Sequence, residues 1–220
     1  MLEPGQCLAA SEFVDSDDAG VIEFALRAAA GAGVGADARA RAVAIFLKVR
    51  DGFRYDPYNT LRTRASYRAS SVVATSANWC VPKSVLLTAA CRAAGIPAAL
   101  GFADVRNHLQ SEKLKATMTT DVFAWHGYSL VWLDDGWQKV SSAFNIELCE
   151  RFGTKVLDWD GTGDALMHPF DNTGNRHMEY VLERGTYLDV PFDDMQATFA
   201  ELYPDFAPSS DPVNDPMFNP

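Results

Sequence analysis

The sequence predicts an α+β fold in which N-terminal helices pack on an antiparallel sheet. Apolar residues recur at helical spacing through much of the first 94 positions. Later, residues 122–133 alternate well enough for a long strand, and the turn Asp134-Asp135-Gly136 leads into a returning strand. No internal repeat or linker interrupts the 220 residues, which are enough for one domain with a substantial core. We therefore expect a single domain over residues 1–203.

Three longer helices are expected before the sheet. The first covers residues 19–30. Its predicted apolar face consists of Ile22, Ala25, Leu26 and Ala29. The second helix is capped by Asp37, whose side chain can accept a backbone N–H bond, and it continues to residue 49. The third helix begins at Cys80, runs to residue 94 and is closed by Gly95.

The remaining elements follow from shorter patterns. Strands are predicted at 97–105, 122–133, 137–141 and 178–184. Short helices are predicted around 66–74, at 146–152 and at 193–203, the last capped by Asp193 or Asp194. Residues 107–120 are expected to form a loop with a helical turn. The proline-rich segment 204–220 is expected to be an extended or disordered tail.

Composition excludes several classes of protein. Apolar residues make up 48% and charged residues 22%, which is ordinary for a globular protein. The net charge of −10 repels phosphate backbones, so we expect no nucleic-acid partner. No apolar run approaches the roughly 20 residues of a membrane helix, and the acidic N-terminus is unlike a signal peptide. We expect no membrane partner and a cytoplasmic location; the composition leaves the oligomeric state open.

The cysteines and histidines do not predict a metal site. The spacing of the four cysteines fits neither a disulfide framework nor a CxxC metal motif, so we expect reduced thiols. His108, His168 and His177 are spaced unlike standard ligand sets, alone or together with His126. We expect neither a metal nor another cofactor.

Cys80 and His126 are the candidate reactive pair. Cys80 begins an apolar helix, and the partial positive charge and free N–H groups of a helix N-terminus favour a thiolate. His126 lies on a predicted strand, so the two residue types suit a thiol nucleophile and its base. The alternatives are a buried structural cysteine and a histidine satisfied within the sheet. Cys91, on the same helix, is expected to be a core residue.

Three segments resemble the transglutaminase-like superfamily. Residues 80–97 resemble its nucleophile motif, a cysteine followed by a Leu-Leu-rich helix and an Arg-Ala-x-Gly-Ile-Pro ending. The hairpin 126–141 resembles its histidine motif, and residues 40–56 are similar to its usual lead-in. The resemblance spans about residues 38–145. It implies a papain-like core in which Cys80 is the nucleophile and His126 is the base.

The sequence departs from the family at the third catalytic position. The family places an aspartate after Trp-x-x-Val on the return strand, whereas here Ser141 follows Val140. A serine hydroxyl can orient an imidazole but cannot supply a full negative charge, and loss of that charge costs on the order of 10⁴ in rate in the serine-protease example. Either Ser141 is a weak orienter, or Asp104, Asn145 or Asp171 takes this role, or the chemistry is not ordinary amide hydrolysis.

Other candidate residues would form the substrate pocket. Trp79 and Asn78 adjoin the nucleophile, where they could line an acyl pocket or help to bind an oxyanion together with the backbone N–H of Cys80. Trp79 could equally be a core residue. Arg106 and Arg176 could bind a substrate carboxylate, or they could form surface salt bridges.

The pattern predicts thiol-dependent acyl transfer or hydrolysis at an amide-type bond through a Cys80 thioester. Water as acceptor would make the protein an amidase or peptidase, and an amine would make it a transglutaminase-like acyltransferase. The expected substrate is a peptide, an amide or another small molecule. Two alternatives stay open: an isomerase or lyase that reuses the Cys-His pair on a small molecule, and a catalytically silent binding module.

Overall fold

The computed structural model describes residues 2–108, 110–118, 120–167, 170–175, 177–204, 206 and 215–218. The helices are α1 (Ala19–Ala30), α2 (Ala38–Gly52), α3 (Ala69–Val73), α4 (Cys80–Ala93), α5 (Glu112–Met118), α6 (Ile146–Phe152) and α7 (Phe192–Leu202). The strands are β1 (Arg54–Tyr55), β2 (Ala77–Asn78), β3 (Ala98–Asn107), β4 (Val122–Leu133), β5 (Gly136–Val140) and β6 (Met178–Tyr187). Short 3₁₀ turns cover Pro4–Leu8 and Arg64–Tyr67. The α+β prediction is confirmed.

The main sheet is antiparallel, with strand order β5-β4-β3-β6, and β1 and β2 form a separate parallel pair. The β4–β5 hairpin was predicted from its Asp-Gly step, but its two-residue turn lies one position earlier. Asp134 and Asp135 are the turn residues, with φ of 49° and 62°. Positive φ at both central residues matches the twist of the flanking strands. Leu133 therefore pairs with Gly136 at the start of β5.

Helix α4 lies at the centre of the molecule. All of its side chains from Cys80 to Arg92 are buried, including the ammonium group of Lys83. The helix packs against β4 on one side and against α1, α2 and α3 on others. A helix that is buried all round is typical of the core of a domain. The sheet and the helical layer thus meet along α4, which begins with the candidate nucleophile.

Two local predictions are wrong: the buried face of α1 and the N-cap of α7. The buried face of α1 consists of Val21, Ala25 and Ala28, whereas Ile22 is 38% exposed and Leu26 is 64% exposed. The rotation of α1 is set by its packing against α2 and α4, and not by its own most apolar stripe.

Helix α7 does not have the predicted cap. Its N-cap residue is Pro191, which makes no side-chain capping bond, and Asp193 and Asp194 lie in the first turn. Carboxylates there still interact favourably with the helix dipole. Asp37 does cap α2, where its side chain accepts a hydrogen bond from the backbone N–H of Ala40.

The described residues of the C-terminal segment pack onto the domain. Asp215 is buried and accepts hydrogen bonds from Tyr58 Oη at 2.7 Å and from Ser111 Oγ at 2.6 Å. Phe218 is also buried, and its ring lies 6.1 Å from Tyr55 and 6.0 Å from Tyr58 between centroids. Among the residues that the structure describes, no helix is long and apolar enough to cross a bilayer.

Candidate active site

Cys80 and His126 line the same cavity. The cavity has a volume of about 70 Å³ and lies between the first turn of α4, strands β3 and β4, and helix α7. Most of its walls are apolar or aromatic, among them Tyr55, Phe123 and Phe199. The two candidate reactive groups, which are 46 positions apart in the sequence, are therefore brought to one cavity.

A glycine allows this close approach. Gly127 follows His126 on β4, and a Cβ added there would lie 3.0 Å from Val81 Cα and 3.3 Å from Ser84 Oγ. Contacts of this length are tighter than nine in ten real Cβ contacts, so a side chain here would push its neighbours apart. Because glycine carries no Cβ, the first turn of α4 can lie directly against β4 beside the histidine.

Lys83 fixes the start of α4 from the other side. Its Nζ is fully buried and donates hydrogen bonds to the carbonyl oxygens of Arg50 at 2.9 Å, Phe53 at 2.6 Å and Ala143 at 2.8 Å. Burial lowers the pKa of Lys83 to about 7. Three carbonyl acceptors match the three donors of an ammonium group, so this contact ties α4 to the end of α2 and to the segment after β5.

Burial controls the charge state of both reactive groups. It raises the pKa of the Cys80 thiol to about 11, although the backbone N–H groups of Gly127, Val81 and Cys80 itself act to lower it. Burial also lowers the pKa of His126 to about 4. The helix terminus was expected to favour a thiolate, but desolvation outweighs it here. At neutral pH the free protein thus holds a thiol and a neutral imidazole.

The imidazole of His126 has unused hydrogen-bonding capacity. Its Nε2 is buried and has no hydrogen-bond partner among the described residues. Its ring lies 6.1 Å from that of Tyr180 between centroids, in an edge-on arrangement. Within the same residues, no hydrogen bond links the ring to the Cys80 thiol. Because a buried polar atom is rarely left unpaired, this nitrogen has capacity for one further hydrogen bond.

Ser141, at the third position, is also buried without a side-chain partner. Its Oγ has no hydrogen-bond partner among the described residues, and the same holds for Ser142. The backbone N–H of Ser141 donates to the carbonyl oxygen of Ala165 at 2.9 Å. The backbone thus holds the Ser141 hydroxyl in the interior, where its O–H has no acceptor among the described residues.

The other candidate orienters are each engaged with different donors. Asp104 accepts a hydrogen bond from the backbone N–H of Trp125 at 3.0 Å and pairs with Arg184. Asn145 accepts from the backbone N–H of Tyr55 at 3.0 Å. Asp171 accepts bonds within its own turn, from Thr173 and Asn175. Asp104 lies nearest in the sheet to His126, because its neighbour Ala103 pairs with His126.

The sequence of residues 26–142 matches the model of the transglutaminase-like superfamily, and this match covers more than half of the chain. The chain belongs to the transglutaminase-like superfamily. This confirms the family predicted from the cysteine and histidine motifs, and it supports a thiol-dependent enzyme. Both Cys80 and His126 lie within the matched residues, as does Ser141.

A solved structure of another protein is similar to this transglutaminase-like chain. It is a protein from Cytophaga hutchinsonii named as a putative cysteine protease, with a TM-score of 0.47 and 16% sequence identity. The alignment covers 83% of this chain and 46% of that chain, so this chain spans less than half the length of that protein. No curated protein matches this chain in sequence.

The predicted pocket residues of this superfamily member lie in different places. Trp79 lines the cavity and packs edge-on against Tyr67, with centroids 5.9 Å apart. Asn78 turns its Oδ1 to the backbone N–H of Trp79, at 3.1 Å. Arg106 forms an ion pair with Asp121 at 3.1 Å. Arg176 and His168 lie outside the described residues.

Sequence reasoning missed one wall of the cavity. Phe199, Tyr203 and Phe206 come from α7 and the residues after it, and Arg62 comes from the irregular segment before α3. Tyr203 Oη is anchored at the start of β4, where it accepts a hydrogen bond from the Ala124 N–H at 2.7 Å. The high aromatic content of residues 199–206 was the available signal, but it does not say which surface they cover.

Proposed function

We propose that this protein catalyses acyl transfer or hydrolysis at an amide-type bond through a Cys80 thioester, with His126 as the base. The observation that carries this proposal is that Cys80 and His126 line one mostly apolar cavity, while the buried Nε2 of His126 has no partner among the described residues. A silent binding module would have no reason to keep a buried imidazole nitrogen without a partner beside a cysteine, because such groups destabilise the fold.

The first chemical step forms a carbon–sulfur bond. Cys80 Sγ attacks the carbonyl carbon as its proton passes to His126, which becomes an imidazolium. The carbonyl oxygen becomes an oxyanion, and the free backbone N–H groups at the start of α4 are its nearest donors. Trp79, which also lines the cavity, is the candidate second donor through its indole.

The second step breaks the carbon–nitrogen bond. The tetrahedral intermediate collapses to a thioester, and the departing amine takes the proton from His126. Water or a second amine then attacks the thioester, giving up its proton to the imidazole, and Cys80 leaves as the thiol. Since the free protein holds neutral groups, proton transfer accompanies attack and is not completed before it.

Ser141 is the proposed orienter of the imidazole. Its buried hydroxyl has no described acceptor, so a bond to His126 would satisfy both groups. A neutral orienter stabilises the imidazolium less than a carboxylate does. We therefore expect Ser141→Asp to change the rate more than Ser142→Asp, since Ser141 occupies the family's aspartate position.

Covalent labelling tests the proposal. The wild-type protein, Cys80→Ala and Cys91→Ala would be treated with iodoacetamide and mapped by mass spectrometry. Cys91 is the matched control, because it lies on the same helix and is fully buried away from the cavity. We expect modification at residue 80 in the wild type and in Cys91→Ala. Amidase or acyltransferase activity that persists in Cys80→Ala would overturn the mechanism.

The size of the cavity favours a second candidate within the same site. A cavity of about 70 Å³ with mostly apolar walls suits a small molecule better than a folded protein segment. An isomerase or lyase that uses the Cys80–His126 pair would fit such a space. Product analysis separates the two: release of ammonia or an amine supports acyl transfer, and turnover of a small acid without it supports the alternative.

A further inference from the structure

Arg62 brings a positive charge to the wall of the Cys80 cavity. Its guanidinium carbon lies 5.0 Å from the ring centroid of Phe199 and 5.7 Å from that of Phe206. These aromatic faces hold a planar cation in place through cation–π contacts. Burial lowers the pKa of Arg62, against the effect of the nearby Tyr67 and Tyr203.

Arg62 differs from the other described arginines in having no anionic or carbonyl acceptor. Within the described residues it forms no ion pair and donates no hydrogen bond. Each of the others donates to a carboxylate or to a backbone carbonyl: Arg27, Arg39, Arg41, Arg50, Arg54, Arg64, Arg68, Arg92, Arg106, Arg151 and Arg184. A half-buried guanidinium whose donors bind no protein acceptor can form charge-assisted hydrogen bonds with an anionic ligand.

Among the described residues of the cavity wall, none supplies a compensating negative charge. No aspartate or glutamate is among its described lining residues, and the polar side chains besides Cys80, His126 and Arg62 are mainly Thr60 and Asn107. A cavity with apolar walls and one cation attracts an anion more strongly than the same charge in water would. A guanidinium binds a carboxylate through two parallel N–H···O bonds.

We propose that Arg62 binds a carboxylate of the substrate, so that the preferred acyl donor is a small amide carrying a free carboxylate. This rests on the proposed function of Cys80 and names the substrate class of the same site. The aromatic walls take the apolar part of such a molecule, Arg62 takes its negative end, and the amide carbonyl is presented to Cys80. Arg62 is thus a specificity-determining residue.

Matched alkylating probes test the inference without requiring turnover. Iodoacetate and N-chloroacetyl-β-alanine carry a carboxylate at two distances from the reactive carbon; iodoacetamide and N-chloroacetyl-β-alaninamide are their neutral counterparts. Rates of Cys80 modification would be measured for the wild type, Arg62→Gln and Arg62→Lys. Arg64→Gln is the control, because Arg64 lies two positions away and pairs with Glu12 on the surface.

We expect Arg62→Gln to lower the anionic-to-neutral rate ratio about tenfold for at least one probe pair, as loss of a charge-assisted hydrogen bond implies. Arg62→Lys should retain part of the preference, and Arg64→Gln should keep all of it. In the wild type, 0.5 M NaCl should lower the ratio, a measurement that needs no variant.

The outcomes separate the two proposals. If all probes modify Cys80 but the anionic-to-neutral rate ratio depends on neither Arg62 nor salt, the carboxylate inference is overturned and the acyl-transfer proposal stays intact. Equal slowing of anionic and neutral probes in Arg62→Gln would likewise overturn it, because it would show a structural role. Failure of every probe to modify Cys80 would overturn the proposed function itself.

Discussion

Acidification should destabilise this protein through His126. Burial lowers the pKa of His126 from its ordinary value of 6.5 to about 4, so the folded state resists protonation that the unfolded chain accepts. Between these two values the unfolded state binds more protons, and the free energy of unfolding therefore rises with pH and falls as the pH is lowered. The stability that a neutral His126 contributes is complete above about pH 7 and is lost progressively down to about pH 4.

The magnitude follows from the same two values. At about 1.4 kcal/mol per unit, the full shift corresponds to about 3 kcal/mol, and the loss between pH 7.5 and pH 5 amounts to about 2 kcal/mol. The perturbation that isolates it is His126→Leu, which cannot titrate. It removes no hydrogen bond at Nε2, since that atom has no partner among the described residues.

Urea unfolding at several pH values, followed by tryptophan fluorescence, measures the effect. Carboxylates and other histidines also titrate in this range, so the informative quantity is the wild-type free energy of unfolding minus that of His126→Leu. This difference should shrink by about 2 kcal/mol from pH 7.5 to pH 5. His108→Gln, which removes a partly exposed histidine, is the control substitution. A difference that stays constant within about 0.5 kcal/mol would refute the reasoning.

Three further predictions concern the start of α4. Gly127→Ala should destabilise the protein by about 1–3 kcal/mol in urea unfolding and slow Cys80 alkylation, because the new Cβ meets Val81. Gly163→Ala is the control: a Cβ there meets nothing within 4 Å, so neither measurement should change. Lys83→Met should cost about 3 kcal/mol in urea unfolding by leaving three carbonyls unpaired, and a cost below about 1 kcal/mol would contradict this. The rate of Cys80 alkylation by iodoacetamide should rise about tenfold per pH unit between pH 7 and 9, because the pKa of its thiol is about 11; a plateau near pH 7 would show a preformed thiolate.

Elements with a strong local signal were predictable. Strand β4 and helix α6 have the predicted bounds, and α4 begins at the predicted residue, Cys80. In β4 the alternation of side chains and the turn at Asp134-Asp135 both act over a few residues, so neighbouring sequence is sufficient to specify them. The same locality explains why Asp37 was correctly identified as the cap of α2.

Predictions that depended on packing partners were less successful. The buried face of α1 is shifted by one residue from the predicted one, because Ile22 and Leu26 are as apolar as Val21 but face solvent when the helix docks on α2 and α4. The ionisation of Cys80 was predicted from the helix terminus alone. Its desolvation depends on the whole surrounding wall, which no local pattern describes.

By itself, the sequence determined the family and the two candidate catalytic residues, because the motif around Cys80 and the strand that carries His126 are continuous in the chain. Only the tertiary structure decided what surrounds them. Gly127 brings α4 against β4, α7 supplies the aromatic wall, and Arg62 meets that wall from more than 130 positions away in the sequence. Charge states and unpaired donors depend on such long-range contacts, because burial and the geometry of partner groups set them and residue identity alone does not.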